Sequence, residues 1–317
     1  MDTYLITGAA GFIGSSLAKE LLLQGKRVVA LDNFCNGNKA KIEGLIGTFS
    51  GQLILKHGDI RDLEFCKEAA SGADYILHHA ALASVPQSIV NPKLFQENNE
   101  TGTLNMLLAA KEAQVNRFVF ASSSAIYGDS EVVPISETAP LNPKSPYALN
   151  KLMGEYYASF FYQQYGLPTI GLRYFNVFGP GQDPHGPYAA VIPLFIQAMR
   201  EGKAPVIYGD GKQTRDFIFI DNVVAANLAA CEASSDAFGK SFNVGTGRAT
   251  SVNELVSLIK SLTHYSGDIA YKPIRNGDIL DSVSDPSLSH TLLNQYEKVA
   301  FEEGIRRTVA QFFGSPQ

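Results

Sequence analysis

The chain has 317 residues, enough for one large α/β domain with a smaller second lobe. Its apolar content is ordinary for a globular protein, and a net charge of −5 argues against a nucleic-acid-binding or anionic-membrane surface. No run of about 18 apolar residues suggests a membrane span, Thr3 starts the first strand and leaves no room for a signal peptide, and Cys35, Cys66 and Cys231 are scattered without metal-ligand spacing, so the expected setting is the cytoplasm, with reduced thiols and no metal.

Strand and helix signals alternate through the first half, which predicts a parallel sheet with helices on both faces. A strand at Thr3–Thr7 runs into Gly8-Ala9-Ala10-Gly11-Phe12-Ile13-Gly14 and then a helix from Ser15 to Gln24. Glycines at Gly8, Gly11 and Gly14 let backbone N–H groups approach a pyrophosphate at the start of that helix. A second strand, Arg27–Leu31, ends at Asp32, whose carboxylate suits the hydroxyls of an adenosine ribose and repels a 2′-phosphate. Asn33 and Phe34 follow, with no arginine to receive that phosphate, so the pattern favours NAD over NADP. A third strand, Leu53–His57, leads to Gly58-Asp59-Ile60. A fourth, Asp74–His78, leads to His79-Ala80-Ala81-Leu82-Ala83, where small residues let the chain pass close to a dinucleotide. One long helix is expected over Lys93–Ala113, with Asn99 near its middle.

Arg117–Ala121 reads as a buried strand ending in Ser122-Ser123-Ser124, and Tyr147 and Lys151 lie downstream on a helix. The Tyr-x-x-x-Lys spacing puts both side chains on one face, about one turn apart. An ammonium beside a phenol favours phenolate, and a serine hydroxyl at the strand end can bind the oxygen that the tyrosine deprotonates. Such a set serves hydride transfer at a carbon bearing a hydroxyl, beside a nicotinamide. Pro168–Arg173 is a sixth strand. After Phe175 a turn-rich segment opens the second lobe, with Ile192–Arg200 helical. Phe217–Ile220, a helix over Asn222–Ala233 and Ser241–Val244 return to the sheet, and a helix over Val252–Leu262 follows. The expected division is 1–176 with 217–247 for the dinucleotide and 177–216 with 248–317 for the substrate.

Thr7–Gly14, Leu31-Asp32-Asn33, Pro146–Lys151 and Leu172–Pro180 together resemble the extended short-chain dehydrogenase/reductase family of nucleotide-sugar enzymes, most strongly its 4-epimerase branch. The resemblance implies a Rossmann-type doubly wound parallel sheet with a smaller α/β substrate-binding lobe. It implies Tyr147 as acid/base, Lys151 lowering its pKa and holding the nicotinamide ribose, and Ser123 positioning the sugar, with Ser124 as a helper. NAD would be held by Gly8, Gly11, Phe12, Ile13, Gly14, Asp32, Asn33, Asp59, Ile60, Ala80, Ala81, Asn99 and Phe175, besides Tyr147 and Lys151. The nucleoside diphosphate would meet Asn176, Tyr208, Arg215, Arg275 and Asp278, and the sugar would meet Ser84, Ser123, Ser124, Tyr147 and Ser282. Arginine suits the diphosphate because its planar fork donates bidentate bonds. A homodimer is implied through a four-helix bundle that includes the Tyr147 helix, to which Phe160, Phe161 and Tyr165 could contribute.

Dehydratases of this family carry an Asp-Glu pair after the active-site serine. Ser124 and Ala125 stand there, which argues for epimerisation. Ser282 falls at the gatekeeper position where enzymes restricted to plain hexoses have a tyrosine, and Ala83 stands where those enzymes often have lysine. The resemblance therefore points to the UDP-N-acetylglucosamine 4-epimerase subgroup, interconverting UDP-GlcNAc and UDP-GalNAc, as in polysaccharide biosynthesis. UDP-glucose/UDP-galactose or a UDP-hexuronate remain alternatives on the same scaffold, and a non-catalytic NAD sensor is a third reading.

Overall fold

The computed structural model describes residues 1–184, 190–274, 280–294 and 296–314. The first half contains β1 (Thr3–Thr7), α1 (Phe12–Leu23), β2 (Arg27–Asp32), α2 (Lys39–Thr48), β3 (Leu53–His57), α3 (Leu63–Ala70) and β4 (Tyr75–His78). It continues through α4 (Val85–Val90), α5 (Pro92–Phe95), α6 (Gly102–Glu112), β5 (Arg117–Ser123), α7 (Pro146–Tyr165) and β6 (Thr169–Tyr174). Then come β7 (Asn176–Phe178), α8 (Val191–Arg200), β8 (Val206–Tyr208), β9 (Thr214–Arg215), β10 (Phe217–Phe219), α9 (Ile220–Glu232) and β11 (Lys240–Val244). The chain closes with β12 (Thr250–Ser251), α10 (Val252–Thr263), β13 (Ala270–Lys272), β14 (Asp281–Ser282), α11 (Ser287–Leu293) and α12 (Phe301–Phe313).

Seven strands form one sheet in the order β3-β2-β1-β4-β5-β6-β11, and every pair is parallel. The apolar runs of the central strands β1, β4, β5 and β6 are largely buried on both faces, as a covered parallel sheet requires, whereas the edge strand β3 exposes Ile54. Alternate residues serve opposite cores. Ile6, Ala30, Leu77, Val119 and Leu172 pack in one core with residues of α1 and α9, whereas Leu5, Leu31, Ile76, Phe118 and Phe120 pack in the other with residues of α3 and α6. Chain order reverses between β1 and β4, so the crevice outside their carboxyl ends is where a Rossmann-type sheet receives a ligand.

A separate core of Phe178, Ile192, Phe195, Phe217, Phe219, Leu255, Ile259, Phe301 and Ile305 builds the smaller lobe from α8, α10, α12 and short strands. Phe178 packs edge-on to Phe219 at 5.6 Å and to Phe301 at 5.7 Å. Two segments depart from the expected division. β10 pairs with β7, and its Phe217 and Phe219 enter the smaller core. α11 lies on β11 and α9, with Leu293 in the large core. Apolar runs this short give no indication of which core they join.

The expected helix over Lys93–Ala113 is interrupted. α5 ends at Phe95, Gln96–Thr101 is wound as a π-helix, and α6 resumes at Gly102. Such wide turns recur at functional sites because they re-aim side chains. Here the wide turn contains Asn98 and Asn99.

Candidate active site

The groove at the strand reversal is built by close backbone approach. Gly8 has φ +67°, and a Cβ there would lie 2.8 Å from the Ala80 nitrogen. A Cβ on Gly14 would lie 2.2 Å from the Gly8 carbonyl oxygen, so helix α1 can sit on the loop only as glycine. α1 begins at Gly11 without a side-chain cap, which leaves first-turn N–H groups available to a phosphate. Gly8, Gly11, Asp32, Asn33, Ile60, Ala80 and Ala81 line this groove as expected from sequence. Cys35, Asn36, Gly37, His79 and Asn98 line it as well and were not anticipated. The Asn36-Gly37 dipeptide was the available turn signal, since a Cβ on Gly37 would lie 2.7 Å from the Ala10 Cβ and 2.9 Å from Asp32 Oδ1.

Several of the expected cofactor residues support the wall from behind. Asn99 accepts from the Leu82 N–H at 2.8 Å and donates to the Leu82 carbonyl at 2.9 Å, clamping the alanine-rich loop. Asp59 accepts from Asn33 at 2.9 Å and from the Arg61 guanidinium at 2.8 and 3.0 Å, and the Arg61 contacts hold its carboxyl well below the usual range. Phe12 and Ile13 pack against the smaller core, and Phe175 packs with Ile126, Tyr127, Ile135 and Leu152. Asp32 is itself anchored, accepting from the Ala10 N–H at 2.9 Å and the Phe34 N–H at 2.7 Å. A slot only glycine can form, an uncapped helix start and a buried carboxylate at the end of β2 fit a dinucleotide with an unphosphorylated adenosine ribose.

α7 starts at Ser145, whose hydroxyl accepts from the Ala148 N–H at 3.2 Å, with Pro146 in its first turn. Tyr147 is therefore at the helix entrance, and Lys151 is one turn deeper. Burial raises the Tyr147 phenol's pKa, and the Ser123 hydroxyl's hydrogen bond pulls it down. Lys151 is 5% exposed, donates to the Ala121 carbonyl at 2.7 Å and stands 5.1 Å over the Phe120 ring. Burial lowers its pKa to about 8. The Lys151 ammonium donates one of its three N–H bonds to β5, and the Ser123 hydroxyl is hydrogen-bonded to the Tyr147 phenol.

Strand alternation separates the three serines. Ser122 points inward and donates to Glu155 at 2.5 Å. Glu155 pairs with Arg173 at 2.8 Å, and Arg173 donates to the Tyr127 hydroxyl at 2.7 Å, all buried. Ser123 accepts from the Ala125 N–H at 3.2 Å, and Ser124 opens the 3-10 turn Ser124–Tyr127. No carboxylate stands at 124 or 125.

Register pairs Ser123 with Tyr174, two residues before Asn176, so the reactive end of β5 adjoins the smaller lobe. There Asn176, Tyr208 and Arg215 share one cleft floored by Phe178, Ile192, Phe195, Ile207 and Phe217. Arg215 donates to the Thr214 and Leu280 carbonyls at 2.8 and 3.1 Å, and Ser282 lies beside it in register on β14. The start of α8, which has no side-chain cap, also borders this cleft, a feature sequence reading missed. Ser84 caps α4, accepting from the Gln87 N–H at 3.2 Å. Arg275 and Asp278 lie outside the described residues. Lys41 of α2 donates to the Gly181 carbonyl at 2.7 Å, tying the two lobes together.

A family model described as NAD dependent epimerase/dehydratase family matches residues 4–245. The chain is 36% identical over 315 residues to UDP-glucose 4-epimerase of Mycolicibacterium smegmatis, covering 99% of each. Among solved structures it is similar to UDP-N-acetylglucosamine 4-epimerase from Methanobrevibacter ruminantium M1 in complex with UDP-N-acetylmuramic acid, at 36% identity, TM-score 0.93 and 99% coverage of both chains. It is also similar to UDP-glucose 4-epimerase from Thermotoga maritima with UDP-glucose, at 36% identity, TM-score 0.91 and 98% coverage of both. The chain belongs to the NAD dependent epimerase/dehydratase family, within the extended short-chain dehydrogenase/reductases. It is an enzyme whose cofactor is NAD.

Proposed function

We propose that this protein is a UDP-sugar 4-epimerase that interconverts UDP-GlcNAc and UDP-GalNAc. The observation that carries the reading is the Tyr147 phenol hydrogen-bonded to Ser123 with Lys151 one turn deeper on α7, in a chain that also holds a dinucleotide groove and a cleft lined by Asn176, Tyr208 and Arg215, with no acid at 124–125 to drive dehydration. The groove lies within the division 1–176 with 217–247, and the cleft lies at its border with 177–216 and 248–317, where Asn176 and Phe217 join the lining.

Tyr147 as phenolate takes the proton from the C4 hydroxyl, and Ser123 orients that hydroxyl. NAD, when bound, accepts the C4 hydride and returns it to the opposite face. Lys151 places a positive charge beneath the site and holds the nicotinamide ribose, while Gly8, Gly11, Gly14 and Asp32 hold the dinucleotide. Asn176, Tyr208, Arg215, Arg275 and Asp278 anchor the nucleoside diphosphate, so the 4-keto sugar rotates without leaving. Ser84 and Ser124 contact the sugar. Ser282, small and next to Arg215, leaves volume for a 2-acetamido group. The UDP-glucose 4-epimerase relatives support the plain-hexose reading as the alternative.

The protein acts as a cytoplasmic homodimer. Exposed Leu149, Tyr156, Phe160 and Tyr165 on α7, together with Ile89, Val90 and Leu94 on α4 and α5, support a helical interface. Sedimentation should give twice the chain mass, and a monomer would refute the interface.

The deciding experiment is a product assay without added NAD, with UDP-GlcNAc and UDP-Glc side by side. Faster formation of UDP-GalNAc is expected. Faster turnover of UDP-Glc would refute the open gate at Ser282, and turnover of neither sugar, with or without NAD, would refute the reading.

A further inference from the structure

Asp216 takes no part in the chemistry just described, yet it lies where the substrate-binding segments meet. Its side chain is fully buried, as is that of Ser284. Its carboxylate is held by two hydroxyls and three backbone N–H groups. Oδ1 accepts from the Thr246 N–H and the Thr246 hydroxyl, both at 2.8 Å. Oδ2 accepts from the Gly247 N–H at 3.0 Å, the Ser284 N–H at 3.1 Å and the Ser284 hydroxyl at 2.5 Å. The cradle is closed by Gly245, where a Cβ would lie 2.5 Å from Oδ2 and 2.4 Å from the Ser284 oxygen.

The main chain of the same residue points the other way. Its carbonyl accepts from both the backbone N–H of Asn176, at 3.0 Å, and the Asn176 side-chain amide, at 3.1 Å. Its N–H donates to the Ser282 carbonyl at 2.8 Å, and Arg215 precedes it in the chain. One carboxylate therefore fixes Asp216 to the turn after β11, and the peptide units on either side of it bond Asn176 of the cleft and the backbone of Ser282, with Arg215 next in the chain. Charge-assisted bonds from several donors are strong and directional, as such a hinge point requires.

We infer that Asp216 is the positioning residue that couples the nucleotide anchor to the sugar gate and so keeps the 4-keto intermediate on the enzyme. The inference rests on the epimerase reading. With NAD bound as the hydride acceptor and Tyr147 taking the hydroxyl proton, oxidation at C4 would leave a 4-keto sugar and a reduced cofactor. The cycle closes only if the nucleotide holds that sugar until hydride returns. A loosened anchor lets the 4-keto nucleotide escape, and the enzyme is left carrying NADH.

Asp216→Asn keeps the side chain's shape but presents an NH2 group to N–H donors. In the NAD-loaded protein it should weaken UDP binding about tenfold, raise KM with a smaller change in kcat, and build up absorbance at 340 nm under UDP-GlcNAc. Retained NAD should stay near wild type and thermal unfolding should stay cooperative, although at a lower midpoint because buried donors lose their acceptor, a split that a general loss of fold would not produce. Ser284→Ala and Thr246→Val each remove one hydroxyl donor, and they test the same point if Asp216→Asn fails to fold. Each should weaken UDP binding about threefold or more. Wild-type turnover with UDP affinity within twofold in the folded variants overturns the inference alone. Wild-type protein that neither binds UDP nor converts either UDP sugar overturns the epimerase reading and the inference with it.

Discussion

The dinucleotide groove and the nucleotide cleft are made in different ways. The groove is mostly local. Its Gly8–Gly14 turn, its Asp32 carboxylate and its Ala80-Ala81 wall each follow directly after one strand, and the strand reversal brings the three together. The cleft is assembled from afar: Asn176 follows the last strand of the first half, Tyr208 and Arg215 sit on short strands, and β14 brings Ser282 alongside Arg215. A site of the first kind is rigid because its backbone is tightly packed. A site of the second kind depends on long-range bonds that hold its parts in register.

The sharpest test of where the chemistry ends and binding begins is Tyr147→Phe. It should cost about a thousandfold in kcat while leaving NAD and UDP binding within a few-fold of wild type, read by steady-state kinetics and calorimetry. Equal losses in binding would erase the distinction between reactive and anchoring groups.

Gly14→Ala tests the groove's backbone packing. The added methyl meets the Gly8 carbonyl oxygen at 2.2 Å and must push loop from helix. Overpacking of about 1–3 kcal/mol converts to roughly tenfold or more in NAD retention. Nucleotide-cleft binding measured with UDP should be spared. Arg215→Ala is the opposite experiment: about a tenfold rise in KM for the UDP sugar with bound NAD unchanged.

A test of stability and not of binding lies beneath both sites. Burial lowers Lys151 from 10.5 to about 8, so between those values the unfolded chain binds more protons than the folded one. Stability of NAD-free protein should therefore rise with pH across that window and gain nothing from this group below it. Lys151→Met removes the dependence. Near pH 7 it should be more stable than wild type by up to roughly 3 kcal/mol, a gap that closes toward pH 10 in denaturant titrations. A constant gap would show that the lysine's burial is not what limits stability.

Much of the groove was legible because glycine, aspartate and alanine report backbone geometry directly. Gly8, Asp32 and Ala80 stand where their spacing put them. Asn99 is placed at the cofactor by resemblance, while the π-helical turn that sets its bonds to Leu82 is not legible, because hydrophobic periodicity gives no sign of an extra residue in a helical turn. Tyr208 and Arg215 were placed by resemblance, and their convergence with Asn176 depends on pairings across 40 to 70 residues that local pattern cannot encode. The Lys41–Gly181 link and the Asp216 cradle are not legible locally because each is defined by a partner far away in the chain.

Ser122, Ser123 and Ser124 are three identical letters with three different addresses. Sliding another sequence by one position against this stretch costs nothing in similarity score, yet it moves the presumed reactive oxygen across the sheet to Glu155 or into the turn beyond. Transfer of function between relatives at this strand should therefore be anchored on Arg173, which pairs with Ser122 in register on the neighbouring strand β6 and whose side chain meets Glu155, the partner of Ser122, and so fixes the count.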